Sequence, residues 1–329
     1  MAQPVFSILS AAHLAEPYLA EMIDSVIAQT TPDWELIVVD NGMSDEVVRI
    51  VERYADDPRI RSARREFDGL GGGVDAAAAL AHGRYYAVVH GDDILLPTFC
   101  AHTGELLDAN PGVDVIGVEA FGFTDDHVLA PIGYRALAGV TQEPGFEHRV
   151  TLAEVADGHV LYYTAAIRAQ AWKMGGGYSC DTPQVEDLAM FIRMLAADCD
   201  IRVLPEHLAG YRLHDQAPSP ADREVYEDSV ERVYELAGTL SNAPEVQAAV
   251  DRTLRKVKFE HAMRRARESL LRSDTATARA NARLALRQRR ALRPAVIYAG
   301  LTIAPGILRR IHPAKQRISA LVARVRPQH

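Results

Sequence analysis

Cysteine is scarce in this chain of 329 residues. Cys100, Cys180 and Cys199 are the three that occur, and they are too few and too scattered for a disulfide framework or a zinc site. A reducing compartment is therefore predicted, and the cytoplasm is the expected location.

Long hydrophobic runs are also missing. The stretch from Met1 to His13 has no positively charged leader before its apolar residues, so the sequence predicts no signal peptide. The apolar segment from Ala295 to Leu308 contains Pro305 and is shorter than the roughly 20 residues that a membrane-spanning helix needs. We therefore expect no transmembrane helix.

Positive charge is lacking in the chain as a whole but not at its C-terminal end. The formal net charge is −8, which does not indicate a nucleic-acid partner. From Asp251 onwards, however, the chain carries twenty Lys or Arg residues and four Asp or Glu residues. Such asymmetry predicts that the basic end meets an anionic surface or an acidic partner.

Two common nucleotide-binding motifs are absent. The glycine-rich stretch Gly69–Gly73 follows the third predicted strand rather than the first, and Val74 stands where a dinucleotide fingerprint requires glycine. The P-loop pattern G-x-x-x-x-G-K-[ST] does not occur either. The sequence thus argues against a dinucleotide dehydrogenase and against a P-loop ATPase.

Strand and helix patterns alternate through the first part of the chain. The predicted strands are Val5–Ser10, Trp34–Val39, Ile60–Ala63, Tyr85–Val89 and Val113–Val118. Alternation of this kind predicts an α/β fold, with a mostly parallel sheet sandwiched by helices.

The composition changes after residues 216–220, which have the sequence of a linker. Helical periodicity continues from about Ala221 to Arg290, so we predict an α/β domain over residues 1–215 and an α-helical domain with a basic tail over residues 221–329. Its last segment, Ile307–Val325, is basic and amphipathic. That segment is predicted either to lie at a membrane surface or to pack against this protein or a second copy of it.

Paired carboxylates follow the apolar strand Tyr85–Val89. Asp92 and Asp93 come directly after His90 and Gly91. Carboxylates at the end of a buried strand lose hydration, and a bound divalent cation would compensate for that loss. Open α/β sheets also bind their ligands beyond the carboxyl ends of the strands. The alternative is that both residues only cap the helix that begins near Pro97.

Several motifs, taken with their order in the chain, resemble the family 2 glycosyltransferases, which have the GT-A fold. Glu35–Gly42 is similar to the second strand of that family and its acidic turn, and Val89–Asp93 is similar to its metal-binding D-x-D region. Gly176–Tyr178 followed by Glu186–Asp187 resembles the acceptor-side loop and the catalytic E-D pair. Tyr211–His214 resembles a pattern that often closes the catalytic domain.

The resemblance implies a metal site and a base. Asp92 would bind Mn²⁺ or Mg²⁺ with the support of Asp93, and His214 would approach the metal or the diphosphate. Asp187 would be the general base, with Glu186 beside it. A base opposite the leaving group implies direct displacement with inversion.

The resemblance also implies a site for a nucleotide-diphosphate sugar, for which a UDP-sugar is favoured. Asp40 would recognise the base of the nucleotide, and His13 would stack on it. The full set of predicted nucleotide-sugar ligands is Ala11, His13, Asp40, Gly71, His90, Asp92 and Arg212.

The sequence departs from the family at three places. Ala11–Leu14 replaces the usual P-T-Y-N, His90 replaces the first acid of D-x-D, and the run Ala76–Ala79 lacks the arginine that commonly follows the glycine stretch. These departures leave the nucleotide open. His90 and the missing arginine also leave open a non-catalytic protein that binds sugar nucleotides or glycans. A nucleotidyltransferase of related fold is the alternative enzyme, although the glycine- and arginine-rich N-terminal loop of that class is absent.

Each motif also has a simpler interpretation. Glu186 and Asp187 could only complement a helix dipole, Asp40 could only form a turn before Gly42, and Gly71–Gly73 could only let the backbone turn sharply. Because the motifs occur together and in the family's order, we predict a metal-dependent inverting glycosyltransferase. Its acceptor would be a hydroxyl of a glycan, a lipid-linked sugar or a small molecule.

Overall fold

The computed structural model describes residues 4–306, apart from residues 141, 143, 144, 179, 180, 215–218 and 290. The described residues fall into two compact units that divide between Val250 and Asp251. The predicted amphipathic segment Ile307–Val325 and most of the predicted linker lie outside the described residues. Cys100 and Cys199 are buried free thiols, and Cys180 lies outside the described residues.

Nine strands form one sheet in the described part of the chain. They are β1 (Phe6–Ala12), β2 (Trp34–Asn41), β3 (Ile60–Arg65), β4 (Tyr85–Val88), β5 (Ile94–Leu95), β6 (Val115–Phe123), β7 (Leu129–Gly133), β8 (Thr164–Arg168) and β9 (Ile201–Arg212).

Helices alternate with these strands, and four further helices follow the last strand in the described part of the chain. They are α1 (Leu19–Ile27), α2 (Asp45–Glu52), α3 (Leu70–Ala79), α4 (Phe99–Ala109), α5 (Tyr134–Leu137), α6 (Leu152–Ala156), α7 (Ala169–Gly175), α8 (Glu186–Ala196), α9 (Pro220–Leu240), α10 (Pro244–Leu271), α11 (Thr275–Gln288) and α12 (Leu292–Ile303).

The sheet confirms the predicted α/β class. Its strand order is β3-β2-β1-β4-β8-β6-β9-β5, and β7 pairs with β6. Strands β1 to β4 pair in parallel, as do β6 and β9, whereas β8 runs antiparallel to both of its neighbours. Parallel and antiparallel pairings are equally frequent among these strands, so the sheet is mixed rather than mostly parallel as predicted. The departure comes from the strands after β4, at least one of which takes part in every antiparallel pair.

The central strands are buried along their whole length, and helices cover both faces of β1. Ile8 belongs to a core cluster that contains residues of α1, α2 and α4. Ala11 points to the other face, because side chains alternate along a strand, and there it meets α3. Burial on both sides explains the nearly continuous apolar sequence of β1.

The glycine stretch forms the first turn of α3 rather than a loop. A Cβ atom on Gly73 would lie 2.7 Å from the Cβ of Ala11 and 2.9 Å from the side-chain amide of Asn41. Gly69, just before the helix, has a φ of +104°, a conformation that glycine adopts readily, and the chain changes direction there. The stretch therefore allows α3 to approach the ends of β1 and β2 closely. The sequence predicts a sharp turn at Gly71–Gly73, whereas these residues are helical.

The C-terminal unit has a small core of its own, as the helical prediction implied. Its buried apolar residues come from α10, α11 and α12 and include Ala266, Leu270, Ala278, Ala282 and Leu301. No helix among the described residues is long and apolar enough to cross a membrane.

Helix α9 belongs to the first unit, where it packs against α8. The predicted division between residues 215 and 221 stays a prediction, because packing does not show whether residues 1–215 fold alone.

Candidate active site

A cleft of about 280 Å³ opens at the carboxyl ends of β1 and β4. This is where open α/β sheets usually bind their ligands. Its walls bring together seven of the predicted site residues, which are far apart in sequence. These are Ala11, His13, His90, Asp92, Asp93, Glu186 and Asp187.

Asp92 and His214 form a pair beside this cleft. Oδ2 of Asp92 lies 2.8 Å from Nε2 of His214, and both side chains are partly exposed. A carboxylate oxygen and an imidazole nitrogen are donors that Mn²⁺ accepts, and a cation that completes its coordination with phosphate oxygens needs few protein ligands. The pair therefore fits the implied metal. In the described part of the chain, no group of three or more His, Cys, Asp or Glu side chains could hold a metal ion.

Asp93 supports the site from below. Its side chain is buried, and its carboxylate accepts hydrogen bonds from the Tyr163 hydroxyl and, at 2.7 Å, from the backbone N–H of Arg212. Burial, followed by the charge of Asp92, raises the pKa of Asp93 to about 7. Both of its oxygens thus have protein donors, which agrees with a supporting role.

Arg212 lies under the pair rather than in the cleft. Its Nε donates to the carbonyl oxygen of Asp92 at 2.8 Å, and its terminal nitrogens donate to Glu21 at 2.6 Å and to Asp125 at 3.3 Å. The guanidinium also stacks over Tyr18, and its side chain is only 2% exposed. Direct binding of the nucleotide sugar by Arg212 stays a prediction, whereas its contacts are those of a group that positions Asp92.

The catalytic pair predicted from the motif occupies the first turn of α8. Burial raises the pKa of both Glu186 and Asp187, and the neighbouring charge adds to the effect at Glu186. The backbone N–H of Leu188 donates to Asp187 at 2.7 Å. Gln184, just before the helix, has a φ of +71°, which is unusual for a residue with a side chain. Such strain is common next to functional groups.

A clamp of two side chains holds the loop before α8. The Asp75 carboxylate accepts from the backbone N–H of Tyr178 at 2.8 Å, and Arg193 donates to the carbonyl oxygens of Gly175 and Gly177. Gly177 has a φ of +70°, and a Cβ there would lie 2.4 Å from Asp75. Helices α3 and α8 thereby fix the predicted acceptor-side loop.

Asp40 and His13 lie near each other at the ends of β2 and β1. The Asp40 side chain is buried, and it accepts from the N–H of Ser44 and from Nε of Arg64, each at 2.9 Å. The His13 ring stacks on Phe67 at a centroid distance of 3.9 Å. His13 thus lies on the cleft wall, whereas Asp40 has protein partners for both of its oxygens. Their roles towards a nucleotide base remain predictions.

Gly71 and His90 lie close to the predicted catalytic pair. A Cβ on Gly71 would lie 3.2 Å from Cγ of Glu186, so only glycine allows this close contact without a shift. The charge of His90 opposes, at Asp93, Glu186 and Asp187, the larger effect of burial on the carboxyl pKa. His90 therefore stands among three acids, in the position where the family has a fourth.

Several residues that line the cleft are not among the predicted site residues, and they include three tyrosines and a glutamine. Tyr134 begins α5 in a stretch without readable periodicity, and Tyr163 directly precedes β8. Tyr211 belongs to the motif Tyr211–His214, and Gln184 lies two residues before Glu186, but neither is a predicted ligand. The adjacent tyrosines at 162 and 163 were the one local signal, because tyrosine combines an apolar ring with a polar end.

Residues 7–167 match Glycosyl transferase family 2. This segment belongs to that family, and the resemblance drawn from the motifs is confirmed. The putative glycosyltransferase EpsE of Bacillus subtilis is 27% identical over 217 residues, which cover 64% of this chain and 71% of EpsE. Chondroitin synthase of Escherichia coli is 33% identical over 95 residues, or 29% of this chain and 14% of that protein.

The chain therefore spans only part of the length of several curated relatives, down to 14% for an uncharacterized protein of Sinorhizobium fredii and for the chondroitin synthase.

Solved structures confirm the GT-A fold. TarS of S. aureus in complex with UDP has a TM-score of 0.58 at 20% identity, and the match covers 78% of this chain and 71% of that one. The mannosyltransferase PcManGT of Pyrobaculum calidifontis, in complex with GDP-Man and Mn²⁺, has a TM-score of 0.59 at 16% identity. That match covers 98% of this chain and 87% of PcManGT.

Proposed function

We propose that this protein is a metal-dependent inverting glycosyltransferase that moves a hexosyl group from a nucleotide-diphosphate donor to an acceptor hydroxyl. A UDP-sugar is the favoured donor. One observation carries the proposal, namely that the Asp92–His214 pair and Asp187 adjoin the same cleft. A metal-binding pair and a carboxylate base, brought together at one end of the sheet, are the groups that sugar transfer needs.

Asp92 and His214 would hold the Mn²⁺ or Mg²⁺ ion. The bound ion would offset the charge that grows on the leaving diphosphate. Arg212 and Asp93 keep Asp92 in place from the protein side, through the carbonyl contact and the backbone contact described above. A positioned carboxylate does not have to reorganise when the donor arrives.

Asp187 would take the proton of the acceptor hydroxyl. Its partly buried position raises its pKa, which brings the carboxylate closer to the proton affinity that a general base needs. Glu186 lies beside it against Gly71, where it supports the same end of α8.

A thermal-shift screen of UDP, GDP and other nucleotide diphosphates, each with and without Mn²⁺, tests the donor site. We expect stabilisation by at least one nucleotide and a larger shift with the metal, because a ligand that binds only the folded state stabilises it. Hydrolysis of the matching nucleotide sugar should follow. Binding without hydrolysis or transfer would favour the non-catalytic alternative, and release of pyrophosphate would favour a nucleotidyltransferase.

We further propose that the protein works in the cytoplasm, with peripheral contact at the inner face of the membrane through its basic end. The excess of Lys and Arg after Asp251 supports this proposal. The acceptor would then be a lipid-linked sugar at that surface, and a homodimer through the same end is the competing arrangement.

A further inference from the structure

The described residues that line the cleft carry several carboxyl groups but no lysine or arginine side chain. Asp92, Asp93, Glu186 and Asp187 contribute carboxyl groups, whereas no Lys or Arg lines the cleft in the part of the chain that the structure describes. Its two histidines, His13 and His90, are the remaining groups there that can carry positive charge. The guanidinium of Arg212, which donates to the carbonyl oxygen of Asp92, is also bound to the acids Glu21 and Asp125.

Tyrosine rings line the same cavities as the proposed base. Tyr134 and Tyr178 line the cleft together with Asp187, and Tyr162 lines a second cavity to which Tyr178 and Asp187 also contribute. Burial raises the pKa of Tyr134, Tyr162 and Tyr178, and the charge of Asp187 raises it further in each case.

Three of the tyrosines on the cleft wall also contact one another. Tyr134 packs edge-on against Tyr163 and Tyr211, with 5.2 Å between ring centroids in both pairs. Tyrosine offers a flat apolar ring for the CH faces of a sugar and a hydroxyl at its end. A wall of such rings beside a carboxylate has the chemistry of a site for a sugar ring.

We propose that the acceptor is a sugar that carries no negative charge near its accepting hydroxyl, such as a neutral hexoside. The inference rests on the proposed function. A divalent ion and a donor diphosphate roughly cancel each other, so the carboxylates of the cleft keep their net charge when the donor is bound. A carboxylate or phosphate on the accepting sugar would meet this charge with no Lys or Arg to offset it.

The transfer step sets the position of the acceptor. Its hydroxyl oxygen bonds to the anomeric carbon of the donor while the bond from that carbon to the diphosphate oxygen breaks, and the electron pair leaves with the nucleotide. The hydroxyl proton passes to Asp187. The accepting sugar must therefore lie against Asp187, among the tyrosines and within reach of the other acids.

Matched pairs of 4-nitrophenyl glycosides test this inference. The glucoside and glucuronide, and likewise the galactoside and galacturonide, differ only in a neutral or carboxylate group at C6. With the full chain, Mn²⁺ and the nucleotide sugar that it hydrolyses, we expect kcat/KM for transfer to the neutral member to exceed that for the charged member about 10-fold or more. Transfer and donor hydrolysis are measured in the same reaction.

A charge variant at the rim makes the test specific. Gln184 lines the cleft and is exposed, so Gln184→Lys adds one cation where the described lining has no Lys or Arg. This variant should reduce the preference for the neutral member several-fold. Gln184→Met has a side chain of similar length without charge, removes the donor of the 3.3 Å contact to the carbonyl oxygen of Asp222, and should keep the preference.

Three outcomes would contradict the inference. They are equal or better transfer to the uronides, a preference that Gln184→Lys does not change, and donor hydrolysis without transfer to any of the four glycosides. If no nucleotide sugar is bound or hydrolysed, the proposed function fails, and the inference fails with it.

Discussion

At the residue scale, neighbouring carboxyl groups of this site have different environments. Asp92 is partly exposed and pairs with His214, whereas the adjacent Asp93 is buried and accepts two hydrogen bonds from the protein. Asp92 lies in the turn that follows β4, whereas the two hydrogen bonds of Asp93 connect it to Tyr163, just before β8, and to the last residue of β9.

The first prediction concerns Asp92. Asp92→Asn should keep the fold and lose most of the Mn²⁺-dependent affinity for the nucleotide, because an amide is a much poorer metal ligand than a carboxylate. Titration calorimetry with and without Mn²⁺ measures the change. Asp56→Asn, on the exposed turn between α2 and the amino end of β3, removes a charge of the same kind at the opposite end of the parallel strands and should bind like the wild type. Unchanged metal-dependent affinity in Asp92→Asn would count decisively against the metal site.

The second prediction concerns Asp187. Asp187→Asn should lower turnover by about 10²–10⁴-fold while donor affinity stays near that of the wild type, since a positioned base contributes to that extent. If turnover survives and donor binding collapses instead, Asp187 belongs to the donor site.

The proposed role of Asp187 as the general base also predicts how activity depends on pH. The base must be ionised, and burial raises the pKa of Asp187. Activity should therefore fall with decreasing pH in a range above about 3.9, the ordinary aspartate value. The pH profile of kcat/KM for the wild type tests this, and an acid limb at the ordinary value would contradict the assignment.

At the scale of elements, the contact between α3 and the sheet depends on one missing side chain. Gly73→Ala would place a Cβ 2.7 Å from that of Ala11, inside a packed interface. We expect a loss of roughly 1–3 kcal/mol in the free energy of unfolding, because overpacking outweighs the better helix propensity of alanine. Urea denaturation measures this loss.

Gly112→Ala is the matched control, since a Cβ there would meet nothing within 4 Å. It should change the free energy of unfolding by less than about 0.5 kcal/mol. Equal effects of the two substitutions would show that the close approach of α3 does not matter for stability.

The clamp between α3 and α8 leads to a fourth prediction. Asp75→Ala removes the acceptor of the Tyr178 N–H, so the loop before Glu186 and Asp187 should lose its fixed position. Transfer should fall roughly 10-fold or more with little change in donor affinity, because small displacements of catalytic groups are costly. Asp75→Asn keeps an oxygen for the same hydrogen bond and should recover most of the activity. A uniform loss of donor binding in both variants would contradict a role in positioning.

At the scale of the whole molecule, the basic end of the chain carries the membrane proposal. Full-length protein should pellet with anionic vesicles at low salt, because each basic residue near such a surface contributes roughly 1 kcal/mol. A chain that ends at Gly306 should stay in the supernatant. It retains α12, whose buried Leu301 belongs to the core of the C-terminal unit. Equal sedimentation of both chains would exclude membrane binding by residues 307–329.

The sequence by itself determined the fold class, the family and most of the chemical groups. Local patterns were sufficient there, since the strands before Asp93 pair with neighbours in the same alternating segment, and Ser44 caps α2 as its sequence position implies. The D-D and E-D pairs could also be found, because each stands within a short motif at the end of a strand or the start of a helix.

Only the tertiary structure decided which of these groups act together. The sequence could not show that β8 inserts between β4 and β6, which brings Tyr163 beneath Asp93, because that pairing joins segments about 70 residues apart. Nor could it show that Arg212 donates to the carbonyl oxygen of Asp92, or that Tyr134, Tyr178 and Tyr211 line one cleft with Asp187. Burial and long-range packing assign these roles, and neither has a local signal in the chain.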